Sequence, residues 1–421
     1  MFGCGGLQPD SSTARDSFRG VHDAGLHWRD PPIITMAKNG GHQPLPPRPN
    51  FRWRLIAACA GSLMGIPSTR HADVERVLRS NLNLRYVAAV VALRLLRKIG
   101  GLAARIGAVA RRLRGSGRNV DDRSVASKQS AIELQLHRDE GEALRIPIIS
   151  TSPARRPFPC HIFQTWKSKT QVPENYARWS ESVKIRNANF AHFLWDDFDN
   201  RKFIADYYPW FLAIYDAYPR EIYRADAVRY FFMYQFGGIY LDMDTECLEP
   251  LAPLFDASAD VWLGRMGNDA DFPHSIPNAI MASRSFQEFW LLAMHFLVEN
   301  ATTTVESHTQ ALAGPETMTG SILLKKTYDT YVSGKRDAVR EMIRRVAVRF
   351  PVNLRPESTV STIELLEPSC WYPMNWANVI HDQLLWELRN NTIKLGGRTK
   401  RWLFPSSYLV TYWGHSWKKA P

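Results

Sequence analysis

The sequence predicts an α/β domain with a mostly parallel central sheet. Short apolar strands alternate with helical stretches from about residue 160 onward, and the sharpest strand runs directly into two acids. Residues 160–166 form a short apolar run behind Pro159 and read as a buried first strand. Residues 174–184 carry helical spacing. Residues 190–195 read as a second strand, ended by Asp196-Asp197. Residues 200–218 read as helix with a break or restart at Pro209, which has no N–H to donate. Residues 223–236 are helical and closed by Gly237-Gly238. Ile239-Tyr240-Leu241 is then a third strand, ending at Asp242. Residues 376–388 read as an apolar helix in which His381 and Asp382 are structural. No internal repeat is present.

The chain has 421 residues, 45% hydrophobic and 12% aromatic, which suffices for a sizeable core. It divides into 1–50, rich in Gly, Pro, Ser and His and expected to be disordered; 51–114, basic; 115–156, a polar linker or stem; and 157–421, the main folded domain. The net charge of +12 is uneven, since 52–118 holds fourteen Lys and Arg against only Asp73 and Glu75. Residues 55–66 are apolar but too few to span a bilayer. Residues 86–110 form a basic amphipathic segment, suited either to lying on a membrane or to packing on the domain. The largely disordered or helical N-terminal extension is therefore where membrane association is expected. The aromatics show no RNA-binding signature and the cysteines no zinc-finger spacing, which argues against nucleic acid. Five cysteines without a CxxC pair read as free thiols, with a disulfide among Cys160, Cys247 and Cys370 left open. Two sequons, at Asn300 and Asn390, lean toward the secretory route.

The chemistry concentrates at Gly237-Gly238-Ile239-Tyr240-Leu241-Asp242-Met243-Asp244. In extended backbone, residues two apart project to one side, so Asp242 and Asp244 are expected to converge. Two carboxylates leaving a buried strand repel unless a cation lies between them, and oxygen ligands suit Mn²⁺ or Mg²⁺. The glycine pair is expected to allow a tight turn and a close approach to ligand. Upstream, Asp226 and Arg229 share one face of an otherwise apolar helix, where charges need a partner or a ligand.

These segments, Arg224-Ala225-Asp226-Ala227-Val228-Arg229-Tyr230 and Phe236 through Asp244, resemble the core of glycosyltransferase family 32. That family groups DXD-type sugar transferases, including fungal Golgi mannosyltransferases and enzymes that mannosylate inositol phosphoceramide. Phe158 through Trp166 resembles the family's opening strand, with Phe163 where His is usual. Leu194-Trp195-Asp196-Asp197, Ile276 through Ala282, Ala313-Gly314-Pro315 and Tyr412 through Trp417 resemble later elements, so the likeness spans about 157–417.

The resemblance implies a GT-A-like, Rossmann-type nucleotide-sugar-binding domain and a hexosyltransferase, first of all a mannosyltransferase. Asp242 and Asp244 would bind the metal, Mn²⁺ or Mg²⁺. Asp226 and Arg229 would hydrogen-bond the donor sugar, and these four are the expected catalytic residues. Phe163, Gln164 and Thr165 would face base and ribose, Tyr240 would join the donor side, and Asn278 would lie on the acceptor side. The C-terminal element would close over the pyrophosphate, but Thr411 and Tyr412 stand where histidines are common, which leaves two readings of it open: His415 or Ser416 substitutes as a third metal ligand, or the element is a structural Trp-rich anchor. The implied donor is a nucleotide-sugar, GDP-mannose before UDP-galactose or UDP-N-acetylglucosamine, and the acceptor a glycan or a sphingolipid. Transfer would retain configuration. Asp197 and Glu246 are possible helpers. A Golgi or other secretory-pathway membrane with a lumenal catalytic domain is the expected setting, a bacterial cytoplasm the alternative. A non-catalytic partner subunit and a metal-dependent phosphotransferase are the competing readings of the same acids.

Overall fold

The computed structural model describes residues 51–79, 86–89, 91, 92, 94, 158–255, 259–306, 314–349, 360–390 and 395–414. The stretches expected to be disordered (1–50) and to form a linker (115–156), together with His415 and Ser416, lie outside these residues.

Strands β1 (His161–Thr165), β2 (Ala191–Trp195), β3 (Gly238–Leu241), β5 (Val261–Gly264), β6 (Ile280–Ser283) and β7 (Ile363–Leu366) form a sheet in the order β2-β1-β3-β6-β5-β7. β1 pairs in parallel with β2 and β3, and β5 with β7, while β6 is antiparallel to both neighbours. The sheet is thus mostly parallel, with one reversed strand at its centre. A second ribbon joins β4 (Thr245–Cys247) to β8 (Leu409–Thr411) in antiparallel register.

Side chains alternate between two cores, as the strand period demands. Ile162, Ile239, Leu241, Trp262, Ile280 and Ala282 enter one core. Their neighbours Phe163, Tyr240, Val261, Leu263 and Met281 enter the other. Both faces are covered, which is why these strands read as continuous apolar runs rather than as alternating ones.

The predicted break at Pro209 is real. Two helices result, Asp197–Tyr207 and Pro209–Ala217, with proline at the first turn of the second. Asp196 caps the first, accepting from the amides of Phe198 and Asp199 while the Asp199 carboxylate accepts from the Asp196 amide. The helix Glu221–Gln235 is buried along most of its length, including Asp226 and Arg229. Gly237 and Gly238 have φ of 65° and 84°, a region side chains resist. They start β3 rather than border the ligand. A Cβ on Gly238 would lie 2.5 Å from the His161 carbonyl oxygen, and one on Gly237 2.6 Å from the Ser285 amide nitrogen. The close approach they permit is therefore to neighbouring backbone, at the end of β3 remote from Asp242.

The basic segment packs on the domain where it is described. Ala57, Met64, Val74, Leu78, Tyr86 and Ala89 are buried in the same core as β3. The Tyr86 hydroxyl donates to the Pro373 carbonyl at 3.0 Å, and Arg94 pairs with the buried Glu387 carboxylate. Among the described residues no helix is long and apolar enough to cross a membrane. Cys59, Cys160, Cys247 and Cys370 are free thiols, so the disulfide left open by the sequence is not formed.

Candidate active site

A cleft of about 850 Å³ opens at the carboxyl end of β1 and β3, where open α/β sheets place their ligands. Asp242 and Asp244 both line it. They converge by a different route from the pleat expected from sequence. The chain leaves β3 in a tight turn, Thr245 N–H donating to the Asp242 carbonyl at 3.1 Å. The turn is locked by the Asp242 amide, which donates to Ala279 O at 2.8 Å, and by the Tyr412 amide, which donates to Asp244 O at 2.9 Å.

Arg229 organises the acids. Its guanidinium lies 3.1 Å from Asp242 Oδ1 and 2.9 Å from Asp226 Oδ1, and is 4% exposed. It also donates to the carbonyls of Ala225 and Asn278 and sits 4.5 Å from the centre of the Tyr240 ring. The Asn278 amide donates to the same Asp226 oxygen at 3.1 Å. The Tyr240 hydroxyl donates to Asp242 Oδ1 at 2.8 Å and lies 3.3 Å from Thr165 Oγ1. Most of Arg229's donors are thus spent within the protein, so it fixes its carboxylate neighbours more than it reaches outward. Asn278, expected on the acceptor side, belongs to the Asp226 arrangement.

The three residues at the end of β1 separate. Thr165 lines the cleft beside Tyr240. Phe163 shares its face but lies two residues deeper, stacked among Phe193, Phe232 and Phe236 and 1% exposed. Gln164 points to the opposite face. There it accepts from Ser180 at 2.6 Å, lies 2.8 Å from His192 Nε2, and donates to the Asp242 carbonyl at 3.5 Å. The expectation that Phe163 and Gln164 face a nucleotide is corrected: one is core, the other braces the turn carrying the acids. Glu246 likewise faces away from the cleft, held by Lys400 and by the Tyr412 hydroxyl. Asp197 does line the cleft, with burial and then Glu221 pushing its carboxyl upward.

The cleft is lined by more acids than bases. Asp197, Glu221, Asp226, Asp242, Asp244 and Glu316 line the cleft against Lys167, Arg220 and Arg229. Burial pushes Asp226 up to about 6 against the pull of Arg229. It also raises Asp242, again against Arg229. Burial and then the Asp242 charge push Asp244 up to about 7. Asp244 Oδ1 is buried and has no hydrogen-bond partner, while Oδ2 accepts from the Gly414 amide. An orphaned carboxylate oxygen beside a second acid fits a hard divalent ion. Among the described residues no cluster of three or more His, Cys, Asp or Glu is placed to hold a metal.

Sequence reasoning missed Tyr176, Glu316 and Gly320. Burial and then Asp244 push the Tyr176 hydroxyl up to about 12. Gly320 lets a helix start press on the acids, since a Cβ there would meet Asp226 Oδ2 at 3.0 Å. No local pattern announces these residues, which reach the cleft from distant parts of the chain.

A buried arginine thus joins an acid of the helix Glu221–Gln235 to the acid at the end of β3, with an orphaned carboxylate oxygen in the same cleft. Residues 172–263 match the family described as the glycosyltransferase sugar-binding region containing the DXD motif. Inositol phosphoceramide mannosyltransferase 2 of Schizosaccharomyces pombe is 38% identical over 144 residues, 34% of this chain and 39% of that protein. Mannosyl phosphorylinositol ceramide synthase SUR1 of Saccharomyces cerevisiae is 30% identical over 142 residues, 32% of this chain and 37% of that protein. The match thus spans about two fifths of either relative. Among solved structures, the PaToxG glycosyltransferase superposes with a TM-score of 0.32 and 14% identity, over 48% of this chain and 83% of that one.

Proposed function

We propose that this chain transfers a hexose, mannose first, from a nucleotide-sugar to a hydroxyl of a glycan or an inositol-phosphate sphingolipid. The observation that carries the reading is the Asp226–Arg229–Asp242 arrangement beside the orphaned Asp244 oxygen. The names of the relatives support mannose and the lipid acceptor.

Asp242 and Asp244 would hold a divalent cation, Mn²⁺ or Mg²⁺, which supplies Lewis acidity to a departing diphosphate. Arg229 offsets part of the cost of burying the Asp242 carboxylate and holds it in place, with the Tyr240 hydroxyl completing its orientation. Asp226 and Asn278, tied to each other, meet the hydroxyls of the donor sugar. Both are fixed by hydrogen bonds, and neither is posed as a covalent nucleophile. The acceptor hydroxyl then attacks on the face from which the phosphate leaves, passing its proton to that phosphate, and configuration is retained. We place the protein in the secretory pathway, with its catalytic domain lumenal. Co-localisation with a Golgi marker is expected, and a purely cytosolic signal would exclude that setting.

The test is a panel of nucleotide sugars incubated with the full chain and Mn²⁺, read as nucleoside diphosphate release and by calorimetric binding. GDP-mannose is expected to bind and turn over. Failure of every donor both to bind and to turn over would overturn the proposal.

A further inference from the structure

Asp244 is held from the far end of the chain. The antiparallel pairing of β4 with β8 brings residues 412–414 onto it, so that Tyr412 N–H bonds its carbonyl and Gly414 N–H its Oδ2. Glycine at 414 is what allows this contact. A Cβ there would lie 2.2 Å from the Tyr176 hydroxyl oxygen and 3.3 Å from Asp244 Oδ2. The turn itself resists relaxation. Trp413 has φ of 51°, in the left-handed region a bulky side chain disfavours. Its ring is pinned by stacking on Tyr372 with centroids 5.4 Å apart, and its indole N–H donates to Met374 O at 2.9 Å.

One side chain closes this turn. Arg389, the last residue of the helix Val379–Arg389, donates through Nη1 to Tyr412 O at 3.2 Å and to Trp413 O at 2.6 Å. Its Nη2 lies 3.8 Å from Asp382, which also pairs with Arg70 of the N-terminal segment at 3.5 Å. That segment further braces the helix through Arg94 on Glu387 and the Tyr86 ring 4.4 Å from His381. Arg389 does not line the cleft.

We infer that Arg389 is a positioning residue for the metal-binding acid. By clamping two successive carbonyls it sets the Gly414 amide on Asp244 Oδ2 and leaves Oδ1 as the oxygen presented to a cation. This rests on the metal reading proposed above. Groups that orient a metal ligand typically affect affinity by on the order of ten- to a hundred-fold when removed.

The experiment is Mn²⁺ binding to the full chain without donor, followed by calorimetry or by electron paramagnetic resonance of the free ion. Arg389→Ala and Arg389→Gln are compared with Arg389→Lys, which keeps a charged donor able to reach the carbonyls. The Ala and Gln variants are expected to weaken Mn²⁺ binding about tenfold or more, with Lys restoring most of the loss. Gln decides the matter should Ala fail to fold. Parent-like Mn²⁺ affinity in folded Ala or Gln, with at most a lowered melting temperature, would overturn the inference alone. No Mn²⁺ uptake by the unmodified chain would overturn both it and the metal assignment.

Discussion

Replacing Arg229 with methionine tests the central electrostatic argument. The guanidinium is 4% exposed and bridges two carboxylates, at 2.9 Å and 3.1 Å. Methionine fills much of the volume but leaves Asp226 and Asp242 buried without their counter-charge. Breaking a buried pair by removing one partner costs about 3–5 kcal/mol. The loss should depend on pH, and its sign follows from Asp226. Its carboxyl is raised from 3.8 to about 6 in the fold, chiefly by burial. A raised carboxyl binds its proton more tightly folded than unfolded, so its effect on stability is most favourable below 3.8 and worsens as pH rises toward 6. Without Arg229 that window extends upward, because the largest force pulling the value down is gone and only the Asn278 hydrogen bond still lowers it. The gap between parent and variant should therefore be widest near about pH 8 and narrow toward about pH 5. Urea unfolding followed by tryptophan fluorescence, in chelator to exclude metal, measures it at both values. A loss below about 1 kcal/mol, or an equal loss at both pH values, would refute the claim that buried charge pairing holds this site together.

Asp244→Asn should lower transfer by about 10³-fold while leaving the unfolding transition close to that of the parent, and retention of more than a tenth of the rate would remove Asp244 from the metal site. Mn²⁺ affinity of the parent should fall as pH drops below about 7, because Asp244 must lose its proton to bind; a flat profile in calorimetric titration would contradict its raised value. Gly238→Ala should cost about 2–4 kcal/mol in denaturant unfolding, since the new Cβ meets the His161 carbonyl and φ is positive; a change under about 0.5 kcal/mol would mean the strands separate more easily than their packing implies.

Much of the site was legible locally. Asp226 and Arg229 lie three apart on one buried helix, and Asp242 and Asp244 follow directly on β3, so spacing alone groups each pair. Their joining into one arrangement was less so, because it depends on β3 lying beside β1 and β6. The β1 expectations show where pattern fails. Phe163, Gln164 and Thr165 are consecutive, yet one enters the core, one braces a turn and one reaches the cleft. Strand alternation gives the side each takes, but depth along the strand and the cover from Phe193 and Phe232 decide access. The sequon at Asn300 tells the same story. Its side-chain amide donates to Thr317 and Met318 carbonyls from within a helix, a setting no three-residue pattern reveals.

What the sequence determined by itself was the class of sheet, the break at Pro209 and the two pairs of charged residues, because each is a matter of period, backbone restriction or neighbours within one turn. What only the tertiary structure decided was the identity of their partners. Asn278 on Asp226, Gly414 and Arg389 about Asp244, and the N-terminal segment against the Val379–Arg389 helix all bridge long separations in the chain. Such contacts are chosen by which buried polar groups lack a partner once the sheet has closed, and that need exists only in the folded chain.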